Sequence, residues 1–233
     1  IADKTVIPKE SQKNYSEKII FLPNTYQCND SNKKISDKTF IREEFHLPNK
    51  SFVFCCFNQS YKITPNVFNI WMRILKKIQN SVLWLFEDNL SVSRNLKAEA
   101  KKRGINPNRI IFAKKMPLDE HLARHKLADL FIDTFPYNAH TTCSDALWAG
   151  LPVLTCMGES FASRVAASLL KAIDLSELIT KTEKSYENLI IKIAKDPIFL
   201  KKIKKKIEKN KFSKPLFDTK LFTKKIETAY IKV

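Results

Sequence analysis

Short apolar runs alternate, from Ser51 onward, with longer segments in which apolar residues recur at helical spacing. The runs predict strands at residues 52–57, 82–86, 109–113, 130–133 and 153–156. Each run is apolar on both faces, as expected of parallel strands that are covered by helices on both sides. The alternation therefore predicts an α/β fold whose parallel sheet is built from βαβ units.

Helical periodicity is clearest in residues 65–78. Thr64 supplies an N-cap, Pro65 suits the first helical position, and an apolar stripe follows along one helix face. The other predicted helices are 95–103, 118–126, 144–149, 161–172, 186–195, 198–209 and 220–232. After residue 178 the pattern predicts helices only, so we expect the sheet to carry a helical C-terminal extension.

Residues 1–45 are polar and interrupted by turn formers, with one apolar patch at 19–22. This composition predicts a tail and linker, with the polar run 31–34 as a candidate boundary, followed by a lobe over residues 46–233. The chain opens on Ile1 rather than Met and in the middle of a pattern. We therefore expect it to be part of a longer protein.

The charge balance is strongly basic. Lys and Arg number 41 against 24 Asp and Glu, which gives a net charge of +17 that would attract any polyanion. The lysines are spread along the chain, however, whereas a nucleic-acid surface clusters them with aromatic residues. Even the lysine-rich run 201–207 carries apolar residues at helical spacing, which favours an amphipathic helix with a solvated basic face. Nucleic acid is therefore not the expected partner.

Localisation is inferred from what the chain lacks. No apolar stretch approaches the ~18 residues that a membrane span needs, and the N-terminus has no apolar core of a signal peptide. The five cysteines are odd in number and include no CxxC pair, so reduced thiols are the simplest account. We expect a cytoplasmic protein with no membrane partner and no metal site.

Candidate chemistry lies in the loops that follow the strands, because open parallel sheets bind ligands there. The chain has three glycines, and neither a dinucleotide fingerprint nor a Walker loop is present. The loop 58–65 contains Gln59 and Lys62, whose ammonium can reach a phosphate. The alternative is an ordinary surface lysine.

Two further loops carry polar residues. In the loop 133–145, the hydroxyls of Thr141 and Thr142 accompany free amides at a helix start, which makes a ready anion site. Ordinary N-capping would use the same residues. In the loop 116–124, His121 could stack on a base and Arg124 could donate to it, although a lone histidine at a helix start is usually a surface residue.

These segments, in this order, resemble the C-terminal catalytic lobe of the protein O-GlcNAc transferase family, which includes the SPINDLY-like enzymes. The matching stretches are 54–63, 80–85, 108–112, 140–142, 145–153, 158–168 and 213–219. The resemblance implies a GT-B glycosyltransferase, in which the C-terminal of two Rossmann-like lobes holds the donor. It also implies that residues 1–45 end the preceding catalytic lobe, and that neither a metal nor a cofactor is required.

The resemblance assigns a role to each loop. Lys62, with Gln59 nearby, would contact the donor diphosphate and stabilise the leaving nucleotide, which makes Lys62 the expected catalytic residue. His140, Thr141 and Thr142 would hold the phosphates, and Asp145 the ribose hydroxyls. The base would be bound by the group Met116, Pro117, Leu118, His121, Leu122, Ala123 and Arg124.

The implied reaction is inverting transfer of N-acetylglucosamine from UDP-GlcNAc to Ser or Thr hydroxyls of proteins. Leu118 stands where the animal enzymes have a lysine, and plant SPINDLY-type members are associated with GDP-fucose, so GDP-fucose-dependent protein fucosylation is the alternative. A catalytically inactive nucleotide-binding module and a basic nucleic-acid-binding module are the other readings. The acceptor protein would be bound by a missing N-terminal lobe and helical repeats, so this chain alone is expected to bind nucleotide weakly and to transfer nothing.

Overall fold

Parallel pairing of the apolar runs forms one six-stranded sheet in the computed structural model, which describes residues 1–232. The strands lie in the order β3-β2-β1-β4-β5-β6, and every neighbouring pair is parallel. They are β1 (Phe52–Cys56), β2 (Ser81–Phe86), β3 (Ile110–Ala113), β4 (Leu130–Ile132), β5 (Val153–Cys156) and β6 (Ile179–Thr180). The predicted parallel α/β sheet is confirmed, with the five predicted strands correct to within one residue at each end.

The prediction of helices only after residue 178 is wrong at β6. This strand pairs Ile179 with Thr155 and Thr180 with Cys156, at the edge of the sheet. The Thr180 hydroxyl also donates to the Thr155 carbonyl at 2.8 Å. A strand of two residues has no periodicity of its own, so only its pairing with β5 defines it.

Helices connect the strands and then continue alone to the C-terminus. They are α1 (Pro65–Lys77), α2 (Leu90–Lys102), α3 (Leu118–Arg124), α4 (Thr141–Trp148), α5 (Val165–Ala172), α6 (Glu183–Lys195), α7 (Pro197–Asn210) and α8 (Thr219–Ile231). No helix within residues 1–232 is long and apolar enough to cross a membrane.

Four of the predicted helix starts are wrong by three residues or more. One of them is that of α6, which begins at Glu183 because the Thr182 side chain caps it by accepting from the Ser185 amide. Helix α2 begins five residues early, at Leu90, because the Asn89 side chain caps it by accepting from the Val92 amide. Helix α4 begins at Thr141, directly after His140. Helix α5 begins late, at Val165, because residues 161–163 form a separate 3₁₀ turn.

Residues 1–45 pack against the lobe. Ala2, Val6 and Ile7 belong to the hydrophobic core, and the buried Asp3 carboxylate accepts from the Tyr26 amide at 3.0 Å and the Ser168 hydroxyl at 2.6 Å. The predicted tail is therefore anchored to α5 by a buried polar group. The division of the chain at residue 45 stays a prediction.

Candidate functional site

The site lies where the strand order reverses. The chain runs from β1 outward to β2 and β3, and then returns to place β4 on the other side of β1. Loops leaving the carboxyl ends of β1 and β4 therefore diverge from neighbouring strands, which is the usual ligand position in an open α/β sheet. These are the two loops that carry Lys62 and His140.

Lys62 is brought directly onto the β4 loop. A 3₁₀ turn at Ser60–Lys62 orients its side chain, and its Nζ donates to the Asn138 carbonyl at 3.0 Å while lying 3.9 Å from the centre of the Tyr137 ring. Partial burial lowers the pKa of Lys62. Among residues 1–232 the ammonium forms no ion pair, because both of its contacts are to neutral groups. This cation is thus available to an anion.

The start of α4 faces the same position. His140 directly precedes the helix, its ring lies 5.1 Å from the Tyr137 ring, and its Nε2 is 3.3 Å from the Ala162 carbonyl. Burial lowers the pKa of His140, the hydrogen bond to the Ala162 carbonyl opposes this shift, and the nearby charge of Lys62 adds to it. The first amides of a helix have no intrahelical acceptor, so those of Thr141 and Thr142 can bind an anion.

A buried polar network, not foreseen from the sequence, supports this loop from below. The Thr142 hydroxyl donates to the Asn58 side-chain oxygen at 2.5 Å, and the Asn58 amide donates to Asp133 at 3.2 Å. Asp133 also accepts from the Ala139 amide at 2.7 Å and from the Thr155 hydroxyl at 2.7 Å. The signal that could have revealed it is a carboxylate at the end of an otherwise apolar run.

Asp133 is the electrostatic centre of that network. Burial raises its pKa to about 6, although donors from Thr155, Ala139, Asn58 and Thr134 favour the ionised form. At pH 7 the carboxylate is ionised and fully hydrogen-bonded. It therefore fixes the backbone between β4 and α4 in the shape that presents the His140 turn.

The candidate base-binding loop is held by Arg124, which points inward. Arg124 is 1% exposed, and its guanidinium donates to the Lys114 carbonyl at 2.6 Å and contacts His121 Nδ1 at 2.5 Å. It also lies over the Phe57 ring at 4.9 Å. The structure thus places Arg124 against His121 and uses two of the guanidinium nitrogens to shape the loop, and base binding by this pair stays a prediction.

His121 is neutral. Burial lowers its pKa to about 2, with further lowering from His125 and Arg124, and its ring packs 5.2 Å from that of Phe57. Of the remaining residues in this group, Leu122 and Ala123 have side chains buried in the core, Met116 is half-buried, and Pro117 and Leu118 are exposed. Only main-chain atoms of the buried pair are expected to be within reach of a ligand.

Asp145 lies one turn into α4 and already has a partner. Its Oδ1 is 2.5 Å from the Nζ of Lys33, a residue of the polar run that the sequence predicts to be a boundary. The Trp148 indole donates to the Lys33 carbonyl at 2.9 Å. Gln59, in contrast, is exposed at the mouth of the β1 loop. The ion pair with Lys33 was not foreseen.

Comparison with known proteins identifies the family of this chain. A family model described as glycosyl transferase family 41 matches residues 32–226. The chain belongs to glycosyl transferase family 41. That span includes every candidate site residue, so the resemblance drawn from the sequence is confirmed.

Individual family 41 relatives agree. Identity is 36% over 239 residues with a probable UDP-N-acetylglucosamine–peptide N-acetylglucosaminyltransferase SEC of Arabidopsis thaliana, covering 100% of this chain and 24% of that protein. Identity is 29% over 234 residues with the probable enzyme SPINDLY of Solanum lycopersicum, covering 99% and 25%. The chain therefore spans about a quarter of the length of these relatives.

A solved structure shows the same lobe. A point mutant of the O-GlcNAc transferase of Thermobaculum terrenum superposes with a TM-score of 0.87 at 28% identity, covering 98% of this chain and 43% of that one. The predicted Rossmann-like lobe of a GT-B glycosyltransferase is thereby confirmed.

Proposed function

We propose that this chain is the donor-binding lobe of a family 41 enzyme that transfers N-acetylglucosamine from UDP-GlcNAc to protein hydroxyls. The observation that carries the proposal is the contact of Lys62 with the loop that ends at His140, which puts a half-buried cation beside free helix amides. A relative that matches the whole chain is a probable UDP-N-acetylglucosamine–peptide N-acetylglucosaminyltransferase, which supports the same donor.

The geometry suits a departing diphosphate. During transfer the bond between the anomeric carbon and the phosphate oxygen breaks, and negative charge accumulates on the nucleotide. The Lys62 ammonium would stabilise that charge together with the amides of Thr141 and Thr142, an effect often worth several kcal/mol. We infer that these groups do the work of a divalent cation, so the reaction proceeds without a metal or cofactor.

The rest of the proposed reaction follows from the family. A Ser or Thr hydroxyl of the acceptor attacks the anomeric carbon from the opposite side, the new carbon–oxygen bond inverts that centre, and UDP leaves with the electron pair. The general base and the acceptor site would be supplied by the preceding lobe and helical repeats. This chain alone would therefore bind nucleotide without transferring sugar.

The donor alternative rests on Leu118, an apolar side chain that is 54% exposed on the base-binding loop. Because an exposed leucine offers no donor to a nucleotide, the base and sugar preference could differ from that of enzymes with lysine there. GDP-fucose is the second candidate for this reason.

Titration of UDP, GDP, UDP-GlcNAc and GDP-fucose into this chain tests the proposal. We expect UDP and UDP-GlcNAc to bind at about millimolar concentration, with the same affinity in EDTA as in Mg²⁺. A preference for GDP and GDP-fucose would instead favour fucosyl transfer. Failure of every nucleotide to bind would remove the assignment as a donor lobe.

A further inference from the structure

The Lys33–Asp145 ion pair lies within the proposed donor site. The side chains of Lys33 and Asp145 are 19% and 9% exposed, so the charge of Asp145 is largely withdrawn from water. A buried carboxylate without a partner is strongly unfavourable. Lys33 is therefore the counterion of the Asp145 carboxylate at this position.

The segment that carries Lys33 is fixed on both sides. Before it, Asn29 donates to the Leu216 carbonyl at 3.3 Å and accepts from the Thr219 hydroxyl at 3.2 Å. After it, the Ser36 amide donates to the Asp119 carbonyl at 3.1 Å, at the start of α3. The Lys33 carbonyl itself is held by Trp148. The ammonium consequently approaches Asp145 from a main chain that has little freedom to move.

The two oxygens of Asp145 are in different situations. Oδ1 contacts the Lys33 ammonium. Oδ2 accepts no hydrogen bond within residues 1–232, and it is not fully buried, so it keeps contact with solvent. One oxygen is thus bound to the protein, and the other is free to accept from a ligand.

We propose that Lys33 is a positioning residue for the ribose. It acts through Asp145, by holding the carboxylate so that Oδ2 faces the ribose hydroxyls. The inference rests on the proposed function, because it takes Asp145 as the ribose-binding residue. It assigns a role in donor binding to a residue outside the loops that follow the strands.

The test compares UDP with 2′,3′-dideoxy-UDP, which lacks the ribose hydroxyls. Both nucleotides are titrated into this chain by NMR, which measures millimolar affinities and also reports whether each variant is folded. We expect the unsubstituted chain to prefer UDP by about tenfold, the usual size of a hydrogen bond to a charged group. Lys33→Met keeps the apolar stem of the side chain. It should lower the affinity for UDP about tenfold and leave the affinity for dideoxy-UDP unchanged, so that the preference for UDP is lost.

Two variants serve as controls. Lys34→Met removes an equal charge from the neighbouring exposed residue and should leave both affinities unchanged. Lys33→Arg keeps the charge and should restore most of the ribose preference. These outcomes separate an effect on Asp145 from a general loss of positive charge.

Three results would overturn the inference. If Lys33→Met lowers the affinities for both nucleotides equally, or changes neither, Lys33 has only a structural role. If the unsubstituted chain binds both nucleotides equally well, Asp145 does not bind the ribose, although the donor site survives. If the unsubstituted chain binds neither nucleotide, the proposed function is contradicted, and so is the role of Lys33 that depends on it.

Discussion

At the scale of single residues, the site depends on charges held in unusual surroundings. Lys62 keeps a cation against a carbonyl and an aromatic ring, and Asp133 keeps a carboxylate inside the core. Partial burial lowers the pKa of Lys62 and burial raises the pKa of Asp133, so in both cases the charged form is disfavoured. A diphosphate beside Lys62 would stabilise the charged form of the lysine. The hydrogen bonds that shape the His140 turn stabilise the charged form of Asp133.

The pKa of Asp133 predicts how stability changes with pH. Its folded value of about 6 lies above the ordinary aspartate value of about 3.9. Between these two pH values the native state therefore retains a proton that the unfolded chain has already released. This contribution is fully present below about pH 4 and is lost as pH rises through 6, by about 2 to 3 kcal/mol. Urea unfolding of the wild type and Asp133→Asn from pH 4 to 7 measures it.

The test of the Asp133 pKa is the difference in unfolding free energy between the wild type and Asp133→Asn at each pH. This difference should fall as pH rises from 4 to 6. A difference that is independent of pH for Asp133→Asn would contradict the assigned pKa.

At the scale of elements, helix α6 is tied to the end of β4 through one phenol. The Tyr186 hydroxyl accepts from the Trp71 indole of α1 at 3.1 Å and donates to the Asp133 carbonyl at 2.7 Å. Tyr186 is fully buried. The helix that packs on α1 therefore also supports the strand end from which the site loop departs.

Replacing this phenol tests that link. Tyr186→Phe leaves the Trp71 indole and the Asp133 carbonyl without a partner in the core, so we expect the unfolding free energy to fall by about 1 to 3 kcal/mol. Tyr61→Phe is the matched control, because Tyr61 is 65% exposed and should be within about 0.5 kcal/mol of the wild type. Denaturant unfolding gives both values, and an unchanged Tyr186→Phe would show that the link is not stabilising.

Elements were predictable wherever burial leaves a pattern in the sequence. The apolar runs located five strands because the sheet is covered on both faces. The strand order, which brings the Lys62 loop onto the loop that ends at His140, is known only from the structure. Two features carry no local pattern: the two-residue strand β6, and the pairing of Lys33 with Asp145 across 112 positions. Each depends on tertiary contacts that a linear pattern does not encode.

At the scale of the whole molecule, the net charge of +17 accompanies a site built for one anionic ligand. A net charge of this size attracts polyanions weakly at many points of the surface. Lys62 and the α4 amides, in contrast, face a single position. The two kinds of attraction differ in their response to salt. Non-specific binding to DNA depends on released counterions and weakens steeply, while a partly buried contact is screened less.

Salt therefore separates donor binding from nucleic-acid binding. Retention on immobilised DNA should be lost between about 50 and 200 mM NaCl, and Lys62→Ala should not alter it. Binding of UDP should persist at 200 mM NaCl with only a few-fold loss. DNA retention that survives high salt, together with no response to UDP, would favour the nucleic-acid-binding reading of the basic composition.

The central claim is that Lys62 and the first amides of α4 form a diphosphate pocket. Calorimetric titration of UDP into the wild type, Lys62→Ala and Lys76→Ala tests it most directly, since Lys76 is an exposed lysine on α1 without a role in the site. We predict that Lys62→Ala weakens UDP by about tenfold or more, as expected for loss of a charge-assisted contact, and that Lys76→Ala binds UDP like the wild type. Equal affinity of Lys62→Ala and the wild type for UDP would contradict the account.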